Sequence, residues 1–127
     1  MTLKEAIEGI KNNKISPEEL TRDFLKRVYE KNKDLNVFLN IFENAPGGLP
    51  CAVKDVIMVE GEKCTAGSKI LENYIASYDA TVIKKLRAHG ASILGKANCD
   101  EFAMGTTGES SAFGPTLNPL DRSRVTG

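Results

Sequence analysis

A chain of 127 residues with 41% hydrophobic and 27% charged side chains has the length and apolar content of one ordinary globular domain. Its 17 Lys and Arg balance 17 Asp and Glu, which argues against tight nucleic-acid binding by this chain alone, because no cationic excess replaces the counterions around phosphates. Cys51, Cys64 and Cys99 share no CxxC spacing, which speaks against a disulfide scaffold or a zinc site. No apolar run approaches the roughly 18 residues of a membrane span, and the N-terminus carries no targeting pattern. The expected location is cytoplasmic, with no membrane partner.

Leu3, Ala6, Ile7 and Ile10 recur at helical spacing, and Thr2 with Glu5 has the form of a capping box. This predicts a short helix ending near Asn12. Ser16 followed by Pro17 and Glu19 starts a second helix that runs to about Lys33, with Leu20, Phe24, Leu25, Val28 and Tyr29 on one stripe. Alternation over residues 37–42 predicts a strand, and the Pro and Gly content of 44–48 predicts a turn. The run Gly-Leu-Pro-Cys-Ala-Val-Lys-Asp at 48–55 reads as a strand, and 56–59 as a second extended piece. Residues 68–73 suit a helical turn.

Asp79 is placed to cap a helix bearing Val82, Ile83 and Leu86, with Lys84, Lys85, Arg87 and His89 toward its negative end and Gly90 as terminator. The single histidine is read as part of that cap. Residues 91–95 form a short apolar strand, so strand, helix and strand succeed one another as in an α/β layer with parallel strands. Gly90, Gly95 and Lys96 match the spacing of a phosphate loop, yet Ala97 stands where a magnesium-binding hydroxyl belongs and the intervening residues look like a buried strand. Asn98, with Glu101 at the third position, is expected to cap a further helical turn. From 105 to 127 the chain turns to Gly, Ser, Thr, Asn and Pro, and irregular runs of that length inside a domain are usually functional or disordered.

Lys54 is the candidate catalytic residue. In an extended segment Ala52 and Lys54 share one face while Val53 and Asp55 share the other, so the lysine and the aspartate need not neutralise each other. Partial desolvation disfavours an ammonium and moves a lysine toward use as a base.

Several motifs carry a resemblance: Asp-Glu-Phe-Ala-Met-Gly at 100–105, Ser-Ala-Phe-Gly-Pro-Thr at 111–116, Asn118-Pro119 and Arg124-Val125. With Gly-Leu-Pro at 48–50, Val-Lys-Asp at 53–55, Ser-Lys-Ile-Leu-Glu-Asn at 68–73, Tyr-Asp-Ala-Thr-Val at 78–82 and Ile-Leu-Gly-Lys at 93–96, they resemble the amidase signature family. Within it they look most like the glutamine-hydrolysing, tRNA-dependent amidotransferases. The resemblance implies an α/β fold with a mixed sheet flanked by helices, incomplete in this chain, with residues 1–45 as a helical lead-in and 46–127 as the start of the amidase core. It also implies amide hydrolysis by a Ser-Ser-Lys triad in which Lys54 is the lysine, Met104, Thr106 and Thr107 border the substrate, and both serines lie beyond Gly127.

For a base, the lysine's pKa of about 10.4 must come near 7, a bias of roughly 4 to 5 kcal/mol, and neighbouring loops would have to supply that burial. By the same resemblance the substrate is glutamine or another small amide, and ammonia passes to other amidotransferase subunits. No cofactor is expected in this chain, ATP and Mg are expected on a partner subunit, and tRNA is contacted mainly through partners. Val56 after Asp55, Thr106-Thr107-Gly108 in place of a Ser-Ser-Thr run, and a short 44–46 segment depart from the pattern. The rival readings are another amidase acting on small amides and a non-catalytic fragment or scaffold.

Overall fold

The computed structural model describes residues 1–126. Two helices lead the chain, α1 (Leu3–Lys11) and α2 (Pro17–Leu35), followed by strands β1 (Phe38–Ile41) and β2 (Leu49–Lys54), helix α3 (Thr81–Ala88) and strand β3 (Ala91–Ala97). Short 3-10 turns occupy Lys69–Leu71 and Glu101–Ala103. Among the described residues, no helix is long and apolar enough to cross a membrane.

The helix starts follow their caps. Thr2 and Glu5 exchange both bonds of the capping box, and Ser16 accepts from the Glu19 amide with Pro17 at the first helical position. α2 runs past the expected Lys33 to Leu35 and stops at Asn36, whose left-handed backbone (φ 52°) terminates it. The Asn36 side chain then donates to the carbonyls of Phe113 and Gly114, both at 3.0 Å, which ties the helix end to the C-terminal segment. At the other end of α2 the buried Thr21 hydroxyl accepts from the Gly48 amide at 3.1 Å and fixes where β2 begins.

β3 is the central strand of a three-stranded sheet, antiparallel to β1 and parallel to β2. It is buried from Ser92 to Lys96, as a strand covered on both faces must be. The β2–β3 register slips between Cys51 and Ala52, which face Ile93 and Gly95, so Leu94 is the extra residue of a bulge. Gly95 is required beside it, since a Cβ there would collide with the Asn40 carbonyl oxygen and lie 3.1 Å from the Ile41 Cα. Val53, Val59, Ile83 and Ile93 form the core, with Phe42, Cys51, Ile57 and Leu86 around it, and this packs α3 onto the sheet.

Three expectations are corrected. Residues 56–59 are not a strand: the chain turns at once, with the Ile57 amide bonded to the Lys54 carbonyl at 2.9 Å, because Val59 must reach the core beside α3. Asp79 does not cap α3, whose N-cap is Ala80 without a side-chain bond. Its carboxylate instead accepts from the Glu60 amide at 2.8 Å and pairs with Arg87 from the last turn of α3, so it clamps the incoming loop to the helix. Asn98 likewise caps nothing. The turn that follows has Asp100 before it, and the Asn98 amide bonds the Gly114 and Asn36 carbonyls. His89 stands at the C-cap of α3 with Nδ1 2.8 Å from the Lys85 carbonyl oxygen, as the sequence implied.

Candidate active site

The site grows from the carboxyl end of β2. Alternation along this strand leaves Ala52 and Lys54 exposed and buries Val53 and Asp55. Asp55 turns to the opposite face of the sheet, where its Oδ1 lies 3.2 Å from Lys96 Nζ. Both side chains are sealed from solvent, at 1% and 0% exposure. Asp55 Oδ2 also accepts from the Thr65 amide at 2.9 Å and from the Thr65 hydroxyl, and Lys96 Nζ donates to the Lys63 carbonyl at 3.2 Å. Each buried charge is therefore paired and further hydrogen-bonded, the condition under which burial of charge is tolerated. The aspartate beside Lys54 is committed to a structural pair on the far side of the strand.

On its own side Lys54 opens into a cleft of about 420 Å³ lined by Asn98, Cys99, Asp100, Gly105, Thr106, Gly108, Thr116 and Thr126. Parallel strands present ligands beyond their carboxyl ends, and here the irregular C-terminal segment folds back over such an end. The Glu101–Ala103 turn joins two stretches of the cleft lining, Asn98–Asp100 and Gly105–Thr106. Phe102 and Ala103 both hold left-handed backbone, φ 53° and 57°, at about 1–2 kcal/mol each for residues other than glycine. The Phe102 amide is held by the Ala66 carbonyl at 2.7 Å, and the Ala103 amide by the Asp100 carbonyl at 2.8 Å. Such strain collects where a backbone is shaped for a site.

Asp100, itself in the lining, organises the loop that follows. Its carboxylate accepts from the Gly108 amide at 2.9 Å, the Ser110 amide at 3.2 Å and the Ser110 hydroxyl at 2.8 Å. Gly105 packs so closely that a Cβ would sit on the carboxylate. The Ser110 hydroxyl first, then the Gly108 and Ser110 amides and the nearby Lys54 charge, hold its carboxyl below the usual aspartate range against a smaller opposing effect of burial. A depressed folded-state pKa contributes stability that is present above the unfolded value, near 4, and lost as pH falls through the folded one. Asp100→Asn is therefore expected to lower the melting temperature more at pH 7 than at pH 2.5, flattening the acid limb of a melting-temperature profile. Equal losses at both pH values would contradict it.

Of the residues marked in the sequence, Lys54 and Thr106 share the cleft. Thr107 lines an adjoining hollow with Thr116 and Arg124, and Met104 is 75% exposed. Among the described residues Lys54 Nζ makes no direct hydrogen bond to Thr106 or Thr107. Gly127, beyond which the resemblance puts both serines, lies outside the described residues, while its neighbour Thr126 lines the cleft. Sequence reasoning missed Lys96, which it treated as the tail of a false phosphate loop, and the loop-holding role of Asp100. A lysine near the end of a largely apolar strand was the available signal for the first.

A family model described as Amidase matches residues 47–127. The chain belongs to the amidase family. The A subunit of glutamyl-tRNA(Gln) amidotransferase from Wolinella succinogenes is 49% identical over 131 residues, covering 100% of this amidase chain and 27% of that protein. The crystal structure of the Thermotoga maritima protein of the same name matches with a TM-score of 0.88 at 38% identity, over 100% of this chain and 29% of that one. A 6-aminohexanoate cyclic dimer hydrolase matches with a TM-score of 0.89 at 26% identity and again 29% of its length. The chain thus spans under a third of the relatives it resembles, 31% of the protein from Koribacter versatilis for example. The mixed sheet flanked by helices is that of amidases.

Proposed function

We propose that this chain is the N-terminal part of a glutamine-hydrolysing subunit of a tRNA-dependent amidotransferase, and that Lys54 is the lysine of its Ser-Ser-Lys triad. The observation that carries the reading is the cleft at the carboxyl end of β2, where Lys54, within the stretch that the amidase model matches, shares a lining with Asn98–Asp100, Gly105, Thr106, Gly108 and Thr126. Attack on an amide needs an activated hydroxyl and a proton route to departing ammonia. Lys54 would accept the hydroxyl proton through a bridging serine and return it to the leaving nitrogen. Both serines would come from sequence beyond Gly127, which would also enclose the now exposed lysine and favour its neutral form. Thr106 faces the amide in this scheme, with Thr107 and Met104 shaping the entrance. Ammonia would pass to a partner subunit that activates aminoacyl-tRNA with ATP and Mg.

The test is a chimera in which residues 1–127 replace the matching segment of the Wolinella succinogenes protein. It is expected to hydrolyse glutamine, with kcat falling about 10²–10⁴-fold in Lys54→Ala, the usual worth of a positioned base. The isolated chain is expected to release no ammonia, since members of a catalytic unit do not act separately. A chimera whose glutaminase activity is unchanged by Lys54→Ala would overturn the assignment. The likeness to the cyclic dimer hydrolase supports a second reading, hydrolysis of another small amide, in which case the chimera with the corresponding hydrolase segment would be the active one.

A further inference from the structure

The second half of α2 meets β1 along a groove of about 240 Å³ that lies away from the Lys54 cleft. Phe24, Val28, Val37 and Phe38 line it, and Arg27 and Lys31 flank it. Residues 24, 28 and 31 fall on one helical stripe, while the buried residues of α2, Leu20 and Thr21, sit at the helix's other end. This stripe therefore carries apolar surface that the fold does not bury.

Two details define what fits there. Asn32 Nδ2 donates to the Phe38 carbonyl at 2.9 Å and its Oδ1 accepts from the Phe38 amide at 2.7 Å. The outward backbone groups of β1 at Phe38 are thus already bonded, so a partner strand cannot extend the sheet at that point and an occupant must bind through side chains. The charge is one-sided as well. The groove contains no acidic lining residue, and among the described residues neither Arg27 nor Lys31 forms an ion pair, although Arg27 lies 5.6 Å above the Phe24 ring. The acids within one turn of these cations, Asp23, Glu30 and Asp34, all lie outside the lining, and Asp34 is engaged by Arg122 at 3.8 Å. An apolar floor between two cations one helical turn apart calls for an apolar anchor between carboxylates at the same spacing.

We propose that this groove docks an acidic amphipathic helix of another polypeptide, seating one or two large apolar side chains on Phe24, Val28, Val37 and Phe38 with carboxylates over Arg27 and Lys31. The site is independent of the chemistry assigned to Lys54. The probe is a designed helical peptide with Leu on one stripe and Glu beside it, compared with a twin carrying Lys in place of Glu, each titrated into the ¹⁵N-labelled 127-residue chain. The acidic peptide is expected to shift the amides from Phe24 to Asn32 with those of Val37 and Phe38, and to bind at least about tenfold more tightly than its basic twin, because like charges at a contact are strongly disfavoured. In Arg27→Glu/Lys31→Glu, two exchanges at exposed positions, the preference is expected to reverse. Equal binding of both peptides, shifts centred elsewhere, or no shift at millimolar peptide would overturn the proposal. Concentration-dependent shifts of the same amides without peptide would also overturn it, by assigning the groove to a second copy of this chain.

Discussion

Asp55→Asn is expected to be among the most damaging single substitutions in this chain, at about 3–5 kcal/mol, the cost of removing one partner from a buried ion pair. The loss comes mainly from what remains. Lys96 would be left at 0% exposure with only carbonyl partners, at 3.2 Å from Lys63 and 3.5 Å from Asp55. Lys96→Met is expected to cost less, because the stranded carboxylate would retain the Thr65 amide and hydroxyl as donors. The double variant Asp55→Leu/Lys96→Met should recover much of the loss, since apolar replacements of a buried pair are often neutral. Urea midpoints for the four proteins check the ordering. Against a typical domain stability of about 5–15 kcal/mol, Asp55→Asn leaves little margin. A double variant no more stable than Asp55→Asn would show that the hydrogen bonds of Thr65 matter more than the charges.

Gly95→Ala is the second large effect, expected at about 3 kcal/mol, the upper end of ordinary overpacking. The added methyl would strike backbone, the Asn40 carbonyl oxygen and the Ile41 Cα at 3.1 Å, neither of which can swing aside as a side-chain tip can. Relief requires β1 to move off β3, and β1 holds that place through Phe42 and Asn98, whose amides bond Leu94 and Val37 carbonyls at 2.9 and 2.8 Å. Gly90→Ala offers the control, because nothing lies within 4 Å of where its Cβ would stand and its cost arises from a φ of +80° alone. Thermal melts should rank Gly95→Ala clearly below Gly90→Ala, and the reverse order would mean that the sheet yields at the bulge.

Features set by neighbours in sequence were legible. Ser16-Pro17 and Thr2-Glu5 announced their helices because a cap acts within one turn, and alternation through Val53, Lys54 and Asp55 placed the lysine on the open face. The parallel arrangement of β2 and β3 followed from strand, helix and strand. The corrected elements depend on distant partners instead. Asp79 looks like a cap until the Glu60 amide and Arg87 claim its carboxylate. Residues 56–59 have strand-forming side chains, yet Val59 is drawn into the core by Ile83 and Ile93. No glycine marks the left-handed backbone of Phe102 and Ala103, since their conformation is imposed by bonds to Ala66 and Asp100. The pairing of Lys96 with Asp55 spans 41 residues and cannot be read from either motif alone.

The position of β3 between β1 and β2 also governs the order in which the chain can acquire structure. Neither outer strand has the other as a neighbour, so during synthesis both leave the ribosome without a hydrogen-bonding partner and must wait until Ala97 has emerged. The helices are under no such restraint: the caps at Thr2 and Ser16 act locally, and helix formation takes microseconds or less. The nascent chain should pass through a stage with α1 and α2 formed and the strand segments unzipped, then close its sheet in one late step that joins residues far apart in sequence. Pairings of that kind are slow to nucleate and leave apolar strands open to intermolecular contact meanwhile, so the stretch of synthesis between Lys54 and Ala97 is one in which these strand segments stand uncovered.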